Sequence, residues 1–195
     1  ETIVKKPVRR IPVKTNKVIM KVTPLKIPDL KLIELDVFED ERGFFYESFN
    51  QQKFDEAIGQ KITFVQDNQS QSSKGTIKGL HYQTSPCAQG KLISCLQGEI
   101  YDVVLDIRLD SKTYGQWVAC NLSEQNKRQL WIPSGFAHGF QAITNANIFY
   151  KTSAYYSKDH ERSISPLSNS LGIDWPVKSM LLSDKDRQAE PFSFQ

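Results

Sequence analysis

Residues 99–108, Glu-Ile-Tyr-Asp-Val-Val-Leu-Asp-Ile-Arg, constrain the fold more than any other part of this chain. Read with a period of two, Tyr101, Val103, Leu105 and Ile107 share one face of a strand. Ile100, Asp102, Val104, Asp106 and Arg108 share the other. A face that mixes carboxylates with apolar residues suits solvent, or the inner wall of a barrel with a polar pocket. Residues 91–96 precede this strand across Gln97-Gly98, and the spacing predicts a β-hairpin.

The rest of the chain repeats the strand theme. Strand character runs through residues 30–38, 43–49, 62–66, 116–122, 129–132, 139–143 and 148–155. Asp67-Asn68 reads as a turn that ends one of these segments. The best helical stretch is 51–58, where Phe54, Ala57 and Ile58 fall on one face. Many short strands, one early helix and a Pro/Gly turn at 133–135 predict an all-β sandwich or small barrel.

At 195 residues the chain is long enough for one domain with its own core. It has no apolar run approaching the roughly 20 residues that span a bilayer, so no membrane partner is expected. Cys87, Cys95 and Cys120 form no C-x-x-C pair, which argues against a disulfide framework or a zinc site and fits a reducing cytosol. The net charge of +3 is unevenly spread: residues 1–19 carry +5, which leaves −2 for the remainder. This basic N-terminal extension lacks interleaved aromatics, an amphipathic face and the apolar segment of a secretory signal. We therefore treat 1–19 as peripheral to a single domain over 20–195, with no nucleic-acid partner and a cytoplasmic location expected.

The chemistry concentrates between residues 78 and 91, where His81 and Lys91 flank a turn-rich segment. A neutral imidazole takes up a proton near pH 7, and an ammonium stabilises an oxyanion. Together they suit removal of a proton from carbon beside a carbonyl. On its own the pair also fits a surface histidine and a solvated lysine.

The order of short motifs decides between these readings. Asp40-Glu-Arg-Gly-Phe-Phe45 is followed by Phe64-Val-Gln-Asp-Asn68, Gly79-Leu-His-Tyr-Gln83 and Gln89-Gly-Lys91. Gly98-Glu-Ile-Tyr-Asp102, Arg128-Gln-Leu-Trp-Ile-Pro133 and Gly135-Phe-Ala-His-Gly-Phe140 come next. Tyr150-Lys151, Tyr155-Tyr156, Ile173-Asp-Trp-Pro176 and Leu182-Ser-Asp-Lys-Asp186 close the series. Over residues 20–187 this closely resembles the dTDP-4-dehydrorhamnose 3,5-epimerase family. The resemblance implies a cupin-type jelly-roll barrel with a few short peripheral helices. It also implies a homodimer with shared pocket residues, a dTDP-linked 4-keto-6-deoxyhexose as substrate, and neither metal nor organic cofactor.

By the same resemblance His81 is the base and Asp186 orients and charges it. Lys91 faces the substrate C4 oxygen, and Tyr150 delivers a proton from the opposite face. Arg42 is expected near the phosphates, Glu47, Gln66 and Asn68 at the nucleotide, and Tyr156 at the pocket wall. Asp102 and His138 are expected to line the pocket or hydrogen-bond behind it. The chain departs from the family at Lys78, where most members carry arginine; lysine keeps the charge but loses the bidentate fork. It departs again at Pro166-Leu-Ser168, which replaces a Trp-Asn-Asp segment and reads as a surface loop. His160, in a polar stretch, is expected to face solvent.

Two other activities fit the same scaffold. One is inversion of a single carbon or a 3,4-ketoisomerisation on a related nucleotide sugar. The other is a non-catalytic cupin that binds a nucleotide sugar. A metal-dependent cupin would gather several histidines, and here Gln83 stands where a ligand beside His81 would be needed.

Overall fold

The computed structural model describes residues 20–194; the basic extension over 1–19 lies outside them. The early strands are β1 (Lys21–Pro24), β2 (Lys31–Glu34), β3 (Phe38–Asp40) and β4 (Gly43–Phe45), followed by helix α1 (Gln51–Ile58). Then come β5 (Gln66–Ser72), β6 (Ile77–Gln83), β7 (Lys91–Gln97), β8 (Glu99–Asp106) and β9 (Trp117–Ser123). The chain continues through β10 (Gln129–Ile132), β11 (Phe136–Ala142), β12 (Ala146–Thr152), β13 (Glu161–Ser163) and a short α2 (Asp184–Arg187).

Two antiparallel sheets face each other as a cupin-type jelly roll. One has the order β1-β2-β10-β7-β12-β5 and the other β13-β6-β11-β8-β9, while β3 and β4 form a separate ribbon. Between the sheets Ile93, Cys95, Ile100, Val104, Leu130, Ile132, Phe136 and Ile148 pack with Ile27 and Leu30. Both sheets are also covered on their outer faces. Phe54 of α1 packs with Leu92, Ile33 and Trp131 on the six-stranded sheet. Leu171, Trp175 and Phe192 of the C-terminal segment cover Ile77, Leu80, Val103, Leu105 and Ala137 on the other. Burial on two faces explains why β8 carries apolar residues at both periodicities.

α1 spans 51–58 as the periodicity predicts, with Asn50 accepting from Lys53 N at 3.1 Å and Gly59 closing it in the left-handed region at φ 79°.

Four sequence expectations need correction. β7 and β8 are not a hairpin: β7 pairs with β10 and β12, β8 with β11 and β9, so the chain changes sheet at Gly98. Gly98 has φ +73°, and a Cβ there would run into the Asn145 carbonyl, so the corner is too tight for a side chain. Asp67-Asn68 is not a turn but the start of β5, held in register against Lys151 and Tyr150 of β12. Tertiary pairing overrides the local turn preference at this sheet edge. Pro166 and Ser168 are buried, with the Pro166 carbonyl accepting from Trp175 Nε1 at 2.8 Å, so only Leu167 of that segment faces solvent. His160 is likewise half-buried and bonded through Nδ1 to Ser157 Oγ at 2.8 Å.

Candidate active site

A β-bulge aims the central histidine. On β6, Ile77 and Leu80 face outward into the C-terminal cluster, which breaks strict alternation. The register against β11 explains it: His138 lies opposite His81, but Phe140 lies opposite Lys78, so one extra residue sits on β6. That residue is Gly79, at φ +121°. A Cβ on Gly79 would come within 2.5 Å of Gly139 Cα, so only glycine allows the strands to approach. Because a one-residue shift flips every side chain, the bulge turns both Lys78 and His81 inward.

Asp186 meets His81 from the C-terminal segment. Ser-Asp-Lys-Asp folds as a one-turn helix whose cap is reciprocal: Asp186 N donates to Ser183 Oγ at 3.1 Å, and Ser183 Oγ donates to Asp186 Oδ2 at 2.9 Å. Asp186 Oδ1 then lies 2.5 Å from His81 Nε2. Burial alone would raise this carboxyl, but its bonds with His81, Ser183 and the Gly79 amide outweigh burial and leave it below its ordinary value. Asp186 therefore stays ionised and holds the imidazole through Nε2, and among the described residues Nδ1 has no hydrogen-bond partner.

Lys91 opens β7 on the facing sheet, where its Nζ donates to the His81 carbonyl at 3.4 Å. Burial lowers its pKa to about 8, against the opposing pull of Asp102 and Glu161. Tyr150 projects inward from β12, beside Asn68 of β5 in register. Burial, and then the negative charge of Glu161, push its phenol up, so the hydroxyl keeps its proton at neutral pH.

His81, Lys91, Tyr150, Gln66, Asn68 and Tyr156 line one cavity of about 290 Å3. It continues inward as a space of about 160 Å3, where Lys78 and His138 join His81, Lys91 and Tyr150. Asp102 does not line this space: it is fully buried behind His138, whose Nε2 lies 2.9 Å from Asp102 Oδ2. Arg42 and Glu47 are not brought to the cavity by this chain. Arg42 is 84% exposed on the β3–β4 ribbon and pairs with Asp40. Glu47 binds Lys53 Nζ at 2.6 Å at the start of α1.

Sequence reasoning missed Glu161 and Lys185. Glu161 faces the cavity from β13, accepts from the Tyr156 hydroxyl at 3.0 Å and pairs with Lys185 at 2.6 Å. Burial raises its pKa, but Lys185 and Tyr156 outweigh that and keep it charged. A three-residue strand shows no period, so only the alternation of Glu161 and Ser163 around exposed Arg162 hints at it. Among the described residues no three His, Cys, Asp or Glu side chains gather as a metal site.

Residues 24–193 match the family described as dTDP-4-dehydrorhamnose 3,5-epimerase. The chain is 55% identical to the dTDP-4-dehydrorhamnose 3,5-epimerase of Shigella flexneri, over 89% of this chain and 96% of that protein. It superposes with a TM-score of 0.85, at 50% identity, on a Legionella pneumophila dTDP-6-deoxy-D-glucose-3,5-epimerase in complex with dTDP-4-keto-L-rhamnose, covering 88% of this chain and 92% of the other. A Bacillus anthracis dTDP-4-dehydrorhamnose 3,5-epimerase with TDP and PPi bound also superposes at 0.85, with 47% identity, over 89% and 99% of the two chains. By motif order, by a cavity between two sheets and by these likenesses, the chain belongs to the dTDP-4-dehydrorhamnose 3,5-epimerase family.

Proposed function

We propose that this protein inverts C3 and C5 of dTDP-4-dehydro-6-deoxy-D-glucose to give dTDP-4-dehydro-L-rhamnose. One observation carries the mechanism: His81 and Tyr150 enter a single cavity from opposite sheets, with Lys91 beside them. A C–H next to a ketone is acidic because the electron pair left behind delocalises onto the carbonyl oxygen. His81 Nδ1 takes that proton, and Asp186 supports the imidazolium that forms. The electron pair moves to the C4 oxygen, where the Lys91 ammonium stabilises the enolate by about 3–4 kcal/mol. The enolate then collapses and the carbon takes a proton from Tyr150 on the other face, which inverts the centre. Proton return from imidazolium to phenolate, through solvent, resets the site before the second carbon reacts.

The nucleotide reading rests on Gln66, Asn68 and Tyr156 at the cavity mouth, while Lys78 adds positive charge to the inner space. The β3–β4 ribbon supports a homodimer in which Arg42 and Glu47 serve the partner's site: Phe38, Phe44 and Phe45 are all more than half exposed around Arg42. Sedimentation equilibrium is expected to give twice the 22.3 kDa chain mass. We assign catalysis to residues 20–195, with 1–19 peripheral, and the cytoplasm as its location, which suits three unpaired cysteines. No helix among the described residues is long and apolar enough to cross a membrane.

Incubation with dTDP-4-keto-6-deoxyglucose in D2O is expected to place deuterium at both C3 and C5. Exchange at one carbon alone would assign a single-centre epimerase, and exchange at neither by folded protein would defeat the proposal.

A further inference from the structure

Two loops frame the cavity mouth, residues 84–90 after β6 and 153–157 after β12. Gln89 Nε2 donates to the Ala154 carbonyl at 2.7 Å, and Gly90 N donates to Ser153 Oγ at 2.8 Å. One buried side chain ties both loops to the sheet. Gln83, the last residue of β6, donates from Nε2 to the Cys87 carbonyl at 2.6 Å and to the Tyr155 carbonyl at 3.1 Å. Its Oε1 accepts from Ser157 N at 2.7 Å. Two donors and an acceptor on one planar group are what an amide offers, and a carboxylate or an aliphatic of equal size cannot reproduce the set.

Tyr156 lies between Tyr155 and Ser157, two of the three residues that Gln83 holds. Its backbone N donates to Gln66 Oε1 at 3.0 Å, and Gln66 Nε2 donates to Asn68 Oδ1 at 2.9 Å. The hydroxyl of Tyr156 reaches Glu161. A continuous set of bonds therefore runs from Gln83 through the 153–157 loop to the side chains at the mouth. We infer that Gln83 is a positioning residue that sets the nucleotide-binding end of the cavity, holding Tyr156, Gln66 and Asn68 in register without taking part in proton transfer. Gln83 lines the cavity, but both N–H groups of its amide go to backbone carbonyls, so it has no proton to offer the reacting carbons.

The inference rests on the epimerase reading, so its test separates the two. Gln83→Leu removes all three bonds, and Gln83→Glu keeps the Ser157 bond while setting a carboxylate against two carbonyls. In both variants KM for the keto-sugar and the dissociation constant for dTDP alone are expected to rise about tenfold or more, with kcat and its pH profile held within about threefold. Amide hydrogen exchange at Tyr156 and Ser157 is expected to speed up. A folded variant with parental KM and dTDP affinity would overturn the inference. So would a fall in kcat with a displaced pH profile at unchanged KM, which would put Gln83 in the proton transfer itself. If Gln83→Leu does not fold, Gln83→Glu decides by the same measures. Should the parent bind dTDP but exchange no deuterium, the epimerase reading fails, while dTDP titration and amide exchange still decide the positioning role.

Discussion

Lys91 holds its charge in a site that works against it. Burial brings its pKa down to about 8, and Asp102 and Glu161 are the charges that keep it from falling further. The sign of the pH effect follows directly. Above the lysine pKa the ammonium becomes a neutral amine and the enolate oxygen loses its cation, so kcat/KM should fall on the basic side with an apparent pKa near 8. Tyr150 is pushed the other way, above its ordinary value, and does not set this limb. Asp102→Asn removes one supporting charge, and its basic limb is expected at lower pH than the parent's. A pH profile of kcat/KM for both proteins checks this, and coincident limbs would remove Asp102 from the electrostatics of Lys91. For the proposed base His81, Asp186→Asn keeps the shape beside the ring but removes the negative charge that the Asp186 carboxylate sets against Nε2. Turnover is expected to drop by about 100-fold or more with dTDP affinity unchanged. A small loss would mean that the Asp186 carboxylate matters only for packing.

β6 works as an element because of one irregularity, and the bulge at Gly79 is its most testable feature. Gly79→Ala must place a side chain at φ +121° and drive Cβ against Gly139 and the His138 carbonyl. The conformation alone costs about 1–3 kcal/mol, and relief by closing the bulge would turn His81 out of the cavity. The expected result is a lower urea midpoint together with loss of deuterium exchange. An active variant of parental stability would show that the bulge does not aim the histidine. Such irregularities also mark where sequence reading stopped. Period-two strand reading found β8, β9 and β10, as helical spacing found α1, because each carries its signal in its own residues. It put β7 and β8 in one hairpin, because the change of sheet at Gly98 depends on Asn145, which is distant in sequence. It ended a strand at Asp67-Asn68, because the pairing that makes β5 comes from β12. The site followed the same rule. Motif order singled out His81, Lys91, Tyr150 and Asp186, which the fold brings together at one cavity, whereas Glu161 sits on a strand too short to show a period. The clamp at Gln83 depends on backbone groups that no pattern of side chains reveals.

For the molecule as a whole, buried carboxylates make stability depend on pH. Asp106 is the clearest case, fully buried at the end of β8. Burial alone would raise its pKa, but Arg108, Thr113 and Ser111 outweigh that and hold it at about 2, below the ordinary 3.8. Arg108 also stacks 4.4 Å from the Phe136 ring and reaches Asp29 at 3.2 Å, so one charge organises the loop between β8 and β9. A carboxyl with a depressed folded-state pKa adds stability that is fully present above its unfolded value and is lost as pH falls through the folded one. For Asp106 that window runs from about pH 4 down to about pH 2. Asp186 and Glu161, both also lowered, act in the same direction at the site. Asp106→Asn keeps the size of the side chain and removes the titration. Its thermal midpoint is expected well below the parent's at pH 7, and the gap should narrow as the pH is taken to 2, where the parent carboxyl is itself protonated. Thermal unfolding of both proteins at stepped pH measures the gap. If it stays constant across that range, the hydrogen-bond geometry around position 106, and not the charge, is what holds the loop.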